Sequence, residues 1–261
     1  MQPASTPAAA PPPLFDQETT GANQFIRNYY SSFDSNRQSI LNFLKDVSQV
    51  SFEGTTLTGG QAFLQRLNQL GLPSGSTHRV VTVDAQPSSA GQGAILIFVT
   101  GEYVGQQFSE VLQLVGTGGN YYIHNDIFRV GNTNPFNVPE AAKTVIKSFI
   151  EFYYSTYDSN RAALVSLYRP QSCYTTETIR LRGAEKILEQ LQSLPGVQHD
   201  PSSITADVQQ VNGNQILLVF VTGRLLLAEE SNPLNFSETF LLLQEGQNYF
   251  VGNHIFKFKY G

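Results

Sequence analysis

The stretch Phe25-Ile26-Arg27-Asn28-Tyr29-Tyr30-Ser31-Ser32-Phe33-Asp34-Ser35-Asn36-Arg37 returns as Phe149-Ile150-Glu151-Phe152-Tyr153-Tyr154-Ser155-Thr156-Tyr157-Asp158-Ser159-Asn160-Arg161, with nine of thirteen positions unchanged. The offset of 124 residues holds through Glu53 and Glu177, Gly59 and Gly183, Leu67 and Leu191, and Leu70 and Leu194. Small insertions then shift it. His78 answers to His199, Val99-Thr100-Gly101 to Val221-Thr222-Gly223, Phe108-Ser109 to Phe236-Ser237, and Ile127-Phe128 to Ile255-Phe256. A chain of 261 residues could hold one large domain or two ordinary ones. Self-similarity at this period decides for two copies of one domain of about 115 residues. The first copy is assigned to residues 15–130 and the second to 141–261. Residues 131–140, turn-rich and without periodicity, are read as a linker. Residues 1–14, mostly Pro, Ala, Ser and Thr, are read as a disordered tail.

Within each copy, helices come first and long strands follow. Phe25, Tyr29 and Phe33 recur at i, i+4 and i+8, as do Phe149, Tyr153 and Tyr157, which predicts an amphipathic helix from about Gly21 to Phe33 and its repeat. Ser35 or Asn36 can cap a second, short helix carrying Ile40, Leu41 and Leu44, and a third runs through Phe63, Leu64, Leu67 and Leu70 before Pro73. The later half of each copy holds β-branched and aromatic runs broken by Ser88-Ser89-Ala90-Gly91, Gly116-Thr117-Gly118-Gly119, Asn212-Gly213-Asn214 and Glu245-Gly246-Gln247, the pattern of antiparallel hairpins.

Two of these strands are apolar at successive positions, Ala94 to Val99 and Ile216 to Val221. A strand with one wet face alternates, so both faces of these must be covered. Helices can cover one face. The other is expected to pack on the sheet of the second copy, about 10 Å away. The expected fold is therefore α+β: two domains, each of three helices on an antiparallel sheet, packed sheet to sheet as an internal pseudo-dimer rather than an obligate homodimer.

Composition narrows the function. A net charge of −5, with 14% charged residues, supplies no basic excess to neutralise phosphates, so no direct nucleic-acid partner is expected and basic partners fit better. The single cysteine, Cys173, cannot form an internal disulfide, and the start MQPASTPAAAPPPLF has neither the basic nor the apolar part of a leader, which is read as a reducing compartment. The longest apolar run, Ile216 to Val221, falls far short of the ~20 residues of a spanning helix, so no membrane role is expected.

The sequence resembles the nuclear transport factor 2 family in both copies. The resemblance rests on Phe25 to Arg37, Ser51-Phe52-Glu53-Gly54, His78 to Pro87 and Tyr121 to Arg129 in the first copy. In the second it rests on Thr175-Thr176-Glu177-Thr178, Gly183, and Leu226 to Pro233 running into Phe236. It implies cone domains, each of three helices wrapped on a curved antiparallel sheet, that pair sheet to sheet, binding of the GDP form of the GTPase Ran and of phenylalanine-glycine repeat nucleoporins, and residence in the cytoplasm and nucleus and at the nuclear pore. For Ran it implies a carboxylate after an aromatic at the mouth of the cone, matched by Glu53 after Phe52 and, with Thr176 in place of the aromatic, by Glu177, and acids on a nearby hairpin, matched by Glu229 and Glu230. The first copy is six residues shorter at that hairpin and lacks its acids, so Ran is expected on the second copy. The family's nucleoporin anchor, an aromatic in the first helix, falls here on Glu18 and Ala142. Phe15, one helical turn earlier, is the substitute candidate, with Phe136 in the linker a weaker one. An adaptor in messenger RNA export that binds nucleoporins but not Ran is the alternative.

Related cone folds also include isomerases and dehydratases, so an acid or base in an apolar cavity deserves weighing. His78 and His199 stand at matched positions at the start of a strand, and His124 and His254 near the ends of others. A histidine so placed is more often structural. No phosphate loop, zinc motif or nucleophile elbow occurs, and no enzyme activity, cofactor or metal is expected.

Overall fold

The computed structural model of the chain describes residues 15–259 apart from 73–75, 132–136, 178, 212–214 and 229. The expected tail, the linker with Phe136, the Asn212-Gly213-Asn214 turn and Glu229 thus lie wholly or largely outside the described residues. The first copy runs α1 (Asp16–Ser35), a 3-10 helix (Arg37–Asn42), β1 (Leu44–Phe52), β2 (Thr55–Thr58), α2 (Gly60–Gln69), β3 (His78–Pro87), β4 (Ile95–Tyr103), β5 (Gln106–Thr117) and β6 (Asn120–Val130). The second runs α3 (Lys143–Ser159), a 3-10 helix (Arg161–Leu167), β7 (Tyr168–Thr176), β8 (Ile179–Arg182), α4 (Ala184–Ser193), β9 (Val197–His199), β10 (Thr205–Val211), β11 (Ile216–Leu227), β12 (Leu234–Glu245) and β13 (Asn248–Lys259).

The aromatic stripe does what its spacing predicts, burying Ile26, Tyr29, Tyr30 and Phe33 of α1 and Ile146, Phe149, Ile150, Tyr153 and Tyr154 of α3. The second expected helix is a 3-10 turn in both copies; in the first, Asn36 caps it by accepting the Gln38 N–H at 3.2 Å. Gly59 opens α2 with φ of 86°, where an added Cβ would meet the Asp46 carbonyl at 3.3 Å, and Gly183 opens α4 with φ of 100°.

The sheets order as β2-β1-β6-β5-β4-β3 and β10-β11-β12-β13-β7-β8, with β9 on the outer part of β11. Neither is purely antiparallel as expected, because β1 lies parallel to β6 and β7 parallel to β13. Most of the copy separates those partners in sequence, so no tight hairpin forces them to run opposite ways. The second copy also breaks the strand that is continuous in the first: a 3-10 turn at Pro201–Ser203 splits β9 from β10, which leaves His199 at a strand's end rather than its start.

The two-sided apolar strands meet as predicted. Leu96, Phe98, Val111 and Ile127 of one sheet interdigitate with Leu218, Phe220, Leu241 and Ile255 of the other, and the Phe98 and Phe220 rings stand 6.1 Å apart. Each such side chain contributes about 1.5–3 kcal/mol by leaving water. Polar contacts around this seam repeat in pairs, as a self-complementary interface requires. Gln86 donates to the His254 carbonyl at 2.9 Å, and Gln209 to the Asp126 carbonyl at 2.6 Å. Asn253 donates to Gln86 and Asn125 to Gln209, both at 2.8 Å. Arg129 pairs with Asp207, Lys257 pairs with Asp84 at 2.8 Å, and the Ser109 and Ser237 hydroxyls meet at 3.1 Å on the pseudo-twofold.

Candidate functional site

Each copy wraps its helices around the concave face of its sheet, and the two interiors are filled differently. In the first, Phe52 stacks on Phe128 with centroids 4.8 Å apart, Phe128 on Phe108 at 5.2 Å, and Phe63 tilts against Phe52 at 5.7 Å. His78 lies between Tyr30 at 4.5 Å and Tyr103 at 4.1 Å. Rings occupy the first cup.

Strand registers identify the counterparts. Phe52 faces Phe128 as Thr176 faces Phe256, Tyr103 faces His78 as Leu225 faces His199, and the 124-residue offset maps Phe63 to Ile187. Three aromatic plugs thus become Thr176, Ile187 and Leu225. Two of these replacements, Thr176 and Leu225, line a cavity of about 200 Å³ in the second cup, walled also by Tyr157, Tyr174, Phe256 and Phe258, among others, with Glu238 and His254 in its polar lining.

The matched histidines are clamps. The His78 ring Nδ1 meets Asp34 of α1 at 2.7 Å while the His78 backbone N–H donates to the same carboxylate at 2.9 Å; the ring and backbone of His199 do likewise to Asp158 of α3 at 2.6 and 2.9 Å. They tie the first helix of each copy to its sheet, the structural role weighed against catalysis.

The polar groups at the cup floors differ in chemistry. In the first, Glu110 accepts from Tyr30 and Asp126 from Tyr29 at 3.4 Å, and the two carboxyl groups lie together in the core. Burial pushes Glu110 up to about 7, and burial with the adjacent Glu110 charge raises Asp126 well above the carboxylate range. In the second, Glu238 keeps its place but His254 replaces Asp126. Glu238 accepts from Tyr154 at 2.6 Å, from Tyr153 at 3.3 Å and from His254 Nε2 at 2.5 Å, and His254 Nδ1 meets the Tyr168 hydroxyl at 2.9 Å. Burial and the Glu238 charge raise all three tyrosines well above their ordinary value. Among the described residues, no group of three or more His, Cys, Asp or Glu is placed to hold a metal. Burial also raises the Cys173 thiol.

Comparison with known proteins places this architecture. The nuclear transport factor 2 (NTF2) domain matches residues 21–130 and again 145–258. The chain belongs to the nuclear transport factor 2 family. A nuclear transport factor 2 from Kluyveromyces lactis is 44% identical over 117 residues, which are 45% of this chain and 94% of that protein. One from Oryza sativa is 42% identical over 120 residues, covering 46% and 98% respectively. The solved nuclear transport factor 2 of Cryptosporidium parvum is 33% identical, with a TM-score of 0.41, covering 48% of this chain and 99% of its own. Each relative is spanned almost end to end by under half of this chain, and the family domain occurs here twice.

Within that family frame, the expected rim residues fall as follows. Glu53 and Glu177 occupy the same turn, with φ of 50° and 36°. Each carboxylate accepts a backbone N–H from the last strand of its copy, Glu53 from Val130 at 2.5 Å and Glu177 from Phe258 at 3.3 Å. Glu177 remains 40% exposed, and its nearest cation, Lys257, stands 3.9 Å away while paired more closely with Asp84. Thr176 and Leu227 line the open cup, while Glu177, the residue after Thr176, and Glu230, three residues after Leu227, are exposed and do not line it; Glu230 donates its N–H to the Leu227 carbonyl at 3.1 Å. Phe52 belongs to the ring stack and is buried. Phe15 is also buried, 5% exposed beneath the Arg182 guanidinium of the other copy, so it is no free anchor as it stands.

Sequence reasoning missed the floor carboxylates and His254's partner. Their signal was present: Phe108-Ser109-Glu110 and Phe236-Ser237-Glu238 put an acid at one position of a two-sided apolar strand in both copies. An acid there must be hydrogen-bonded or protonated.

Proposed function

We propose that the chain is a non-enzymatic nuclear transport carrier that binds GDP-bound Ran through its second copy and phenylalanine-glycine repeat nucleoporins, moving between cytoplasm and nucleus through the pore. The observation that carries this is the open second cup with exposed acids close in sequence to its wall. A cavity of about 200 Å³, with Glu177 following Thr176 and Glu230 three residues past Leu227, suits an aromatic side chain set among lysines and arginines. Truncating one partner of such a pair costs about 2–5 kcal/mol. The filled first cup and the tethered Glu53 favour one Ran per chain. The same two features are what an export adaptor without Ran binding would display, which keeps that second reading in play. For nucleoporins, Phe15 serves as an anchor only by leaving its seat beneath Arg182.

Titration of the purified chain with GDP-loaded and GTP-loaded Ran tests the carrier reading. Selective binding of the GDP form, abolished when Glu177, Glu229 and Glu230 are changed to lysine, supports it. Absence of GDP-selective binding refutes it and leaves the adaptor.

A further inference from the structure

The second cup is more than an apolar hole. Its walls are rings and aliphatic side chains, yet its inner end carries Glu238 and His254, both at most 3% exposed. An apolar cavity of about 150 Å³ accepts benzene, so about 200 Å³ accommodates one ring with one or two substituents. A carboxylate offers about four lone-pair sites. Glu238 accepts from Tyr153, Tyr154 and His254, which leaves room for one further donor. Thr176 adds a hydroxyl to the wall, where the first copy has the Phe52 ring. The first copy shows what this space looks like when closed: the acid is retained as Glu110, while Phe52, Phe63 and Tyr103 fill the volume above it. Replacement of the Phe52 and Tyr103 rings by Thr176 and Leu225, with retention of a buried acceptor, leaves a site matched to a flat apolar body bearing one hydroxyl donor.

We propose that the cup of the second copy is a binding pocket for a small phenol-type ring, whose hydroxyl donates to Glu238 while its apolar body packs among Tyr157, Tyr174, Leu225 and Phe256. The pocket shares its position with the Ran reading but does not rest on it, because a free ring tests the cup with no GTPase present.

The probes are p-cresol and p-xylene, which match in size and differ by one hydroxyl against one methyl. Calorimetric titration of the full chain measures both. A cup without a hydrogen-bonding end favours p-xylene, since stripping water from a hydroxyl costs free energy with no return. The proposed pocket reverses that order, with p-cresol about tenfold tighter, the equivalent of one net hydrogen bond. The double variant Thr176→Phe with Leu225→Tyr, which copies the plugs of the first cup, is expected to abolish binding of both while unfolding as cooperatively as the parent. In Glu238→Gln the preference for p-cresol over p-xylene is expected to shrink; retained p-xylene binding certifies its fold. N-acetyltyrosinamide separates the two sources of such a ring: binding assigns the pocket to a tyrosine side chain of a partner, exclusion to a free phenol. Failure of both probes to bind, equal or tighter binding of p-xylene, or p-cresol binding that survives the plugs overturns the proposal.

Discussion

Replacing Glu110 with glutamine should stabilise the chain at alkaline pH and leave it unchanged in acid. Glu110 lies in the core of the first cup beside Asp126, and burial holds its carboxyl at about 7 against an ordinary value of 4.5. Below pH 4.5 the group is protonated folded and unfolded, and contributes no pH dependence. Between 4.5 and 7 the unfolded chain releases the proton while the folded chain keeps it. The folded state then binds more protons, so stability falls as pH rises. Above 7 the loss levels off. About 2.5 pK units at 1.36 kcal/mol each place it near 3 kcal/mol. Asp126, raised in the same direction, adds to the slope. Glutamine matches the protonated carboxyl in shape and can still accept from Tyr30, so Glu110→Gln should track the parent at pH 4 and exceed it by about 3 kcal/mol at pH 8. For a chain of this size that is roughly 6–12 °C in Tm. Urea titrations at half-unit pH steps measure the difference directly. Parallel stability curves from pH 4 to 8, or a parent that gains on the variant as pH rises, would refute the reasoning.

Two further predictions concern the seam between the copies. Asp207→Ala removes the carboxylate that pairs with the buried Arg129 guanidinium and accepts from Ser51 and Asn137, and should cost about 3–5 kcal/mol in a denaturant titration, whereas Arg129→Met combined with Asp207→Leu should recover part of that loss. Because the apolar backs of the sheets cover each other within one chain, static light scattering should give a mass near 28.8 kDa at micromolar concentration, and a mass of twice that would mean the copies exchange between chains.

Much of this architecture was legible in linear order. The repeat declares two copies; the stripe of Phe25, Tyr29 and Phe33 declares a helix with one buried face; consecutive apolar residues in Ala94 to Val99 and Ile216 to Val221 declare a strand covered on both sides. These are local signals, set by the periodicity of a helix or a pleat and by the cost of leaving apolar surface wet. The shared turn of Glu53 and Glu177 was likewise reachable, since matching turns carry matching residues.

Other properties exist only after distant segments converge. Whether a cup is open depends on Phe52 and Tyr103 against Thr176 and Leu225, side chains from two strands whose volumes add only when packed around one point. The same holds for Phe15, which stands at the border of a proline-rich stretch yet is buried, with Arg182, far along the chain, over its ring. Glu110 and Glu238 are one residue type in one motif, yet a neighbour on the adjoining strand, Asp126 or His254, decides whether the acid shares its burial with a second carboxyl or meets a histidine. Periodicity along a chain encodes which faces turn inward; what those faces then touch, and how a buried charge is balanced, is settled by close packing and by the low dielectric of the interior.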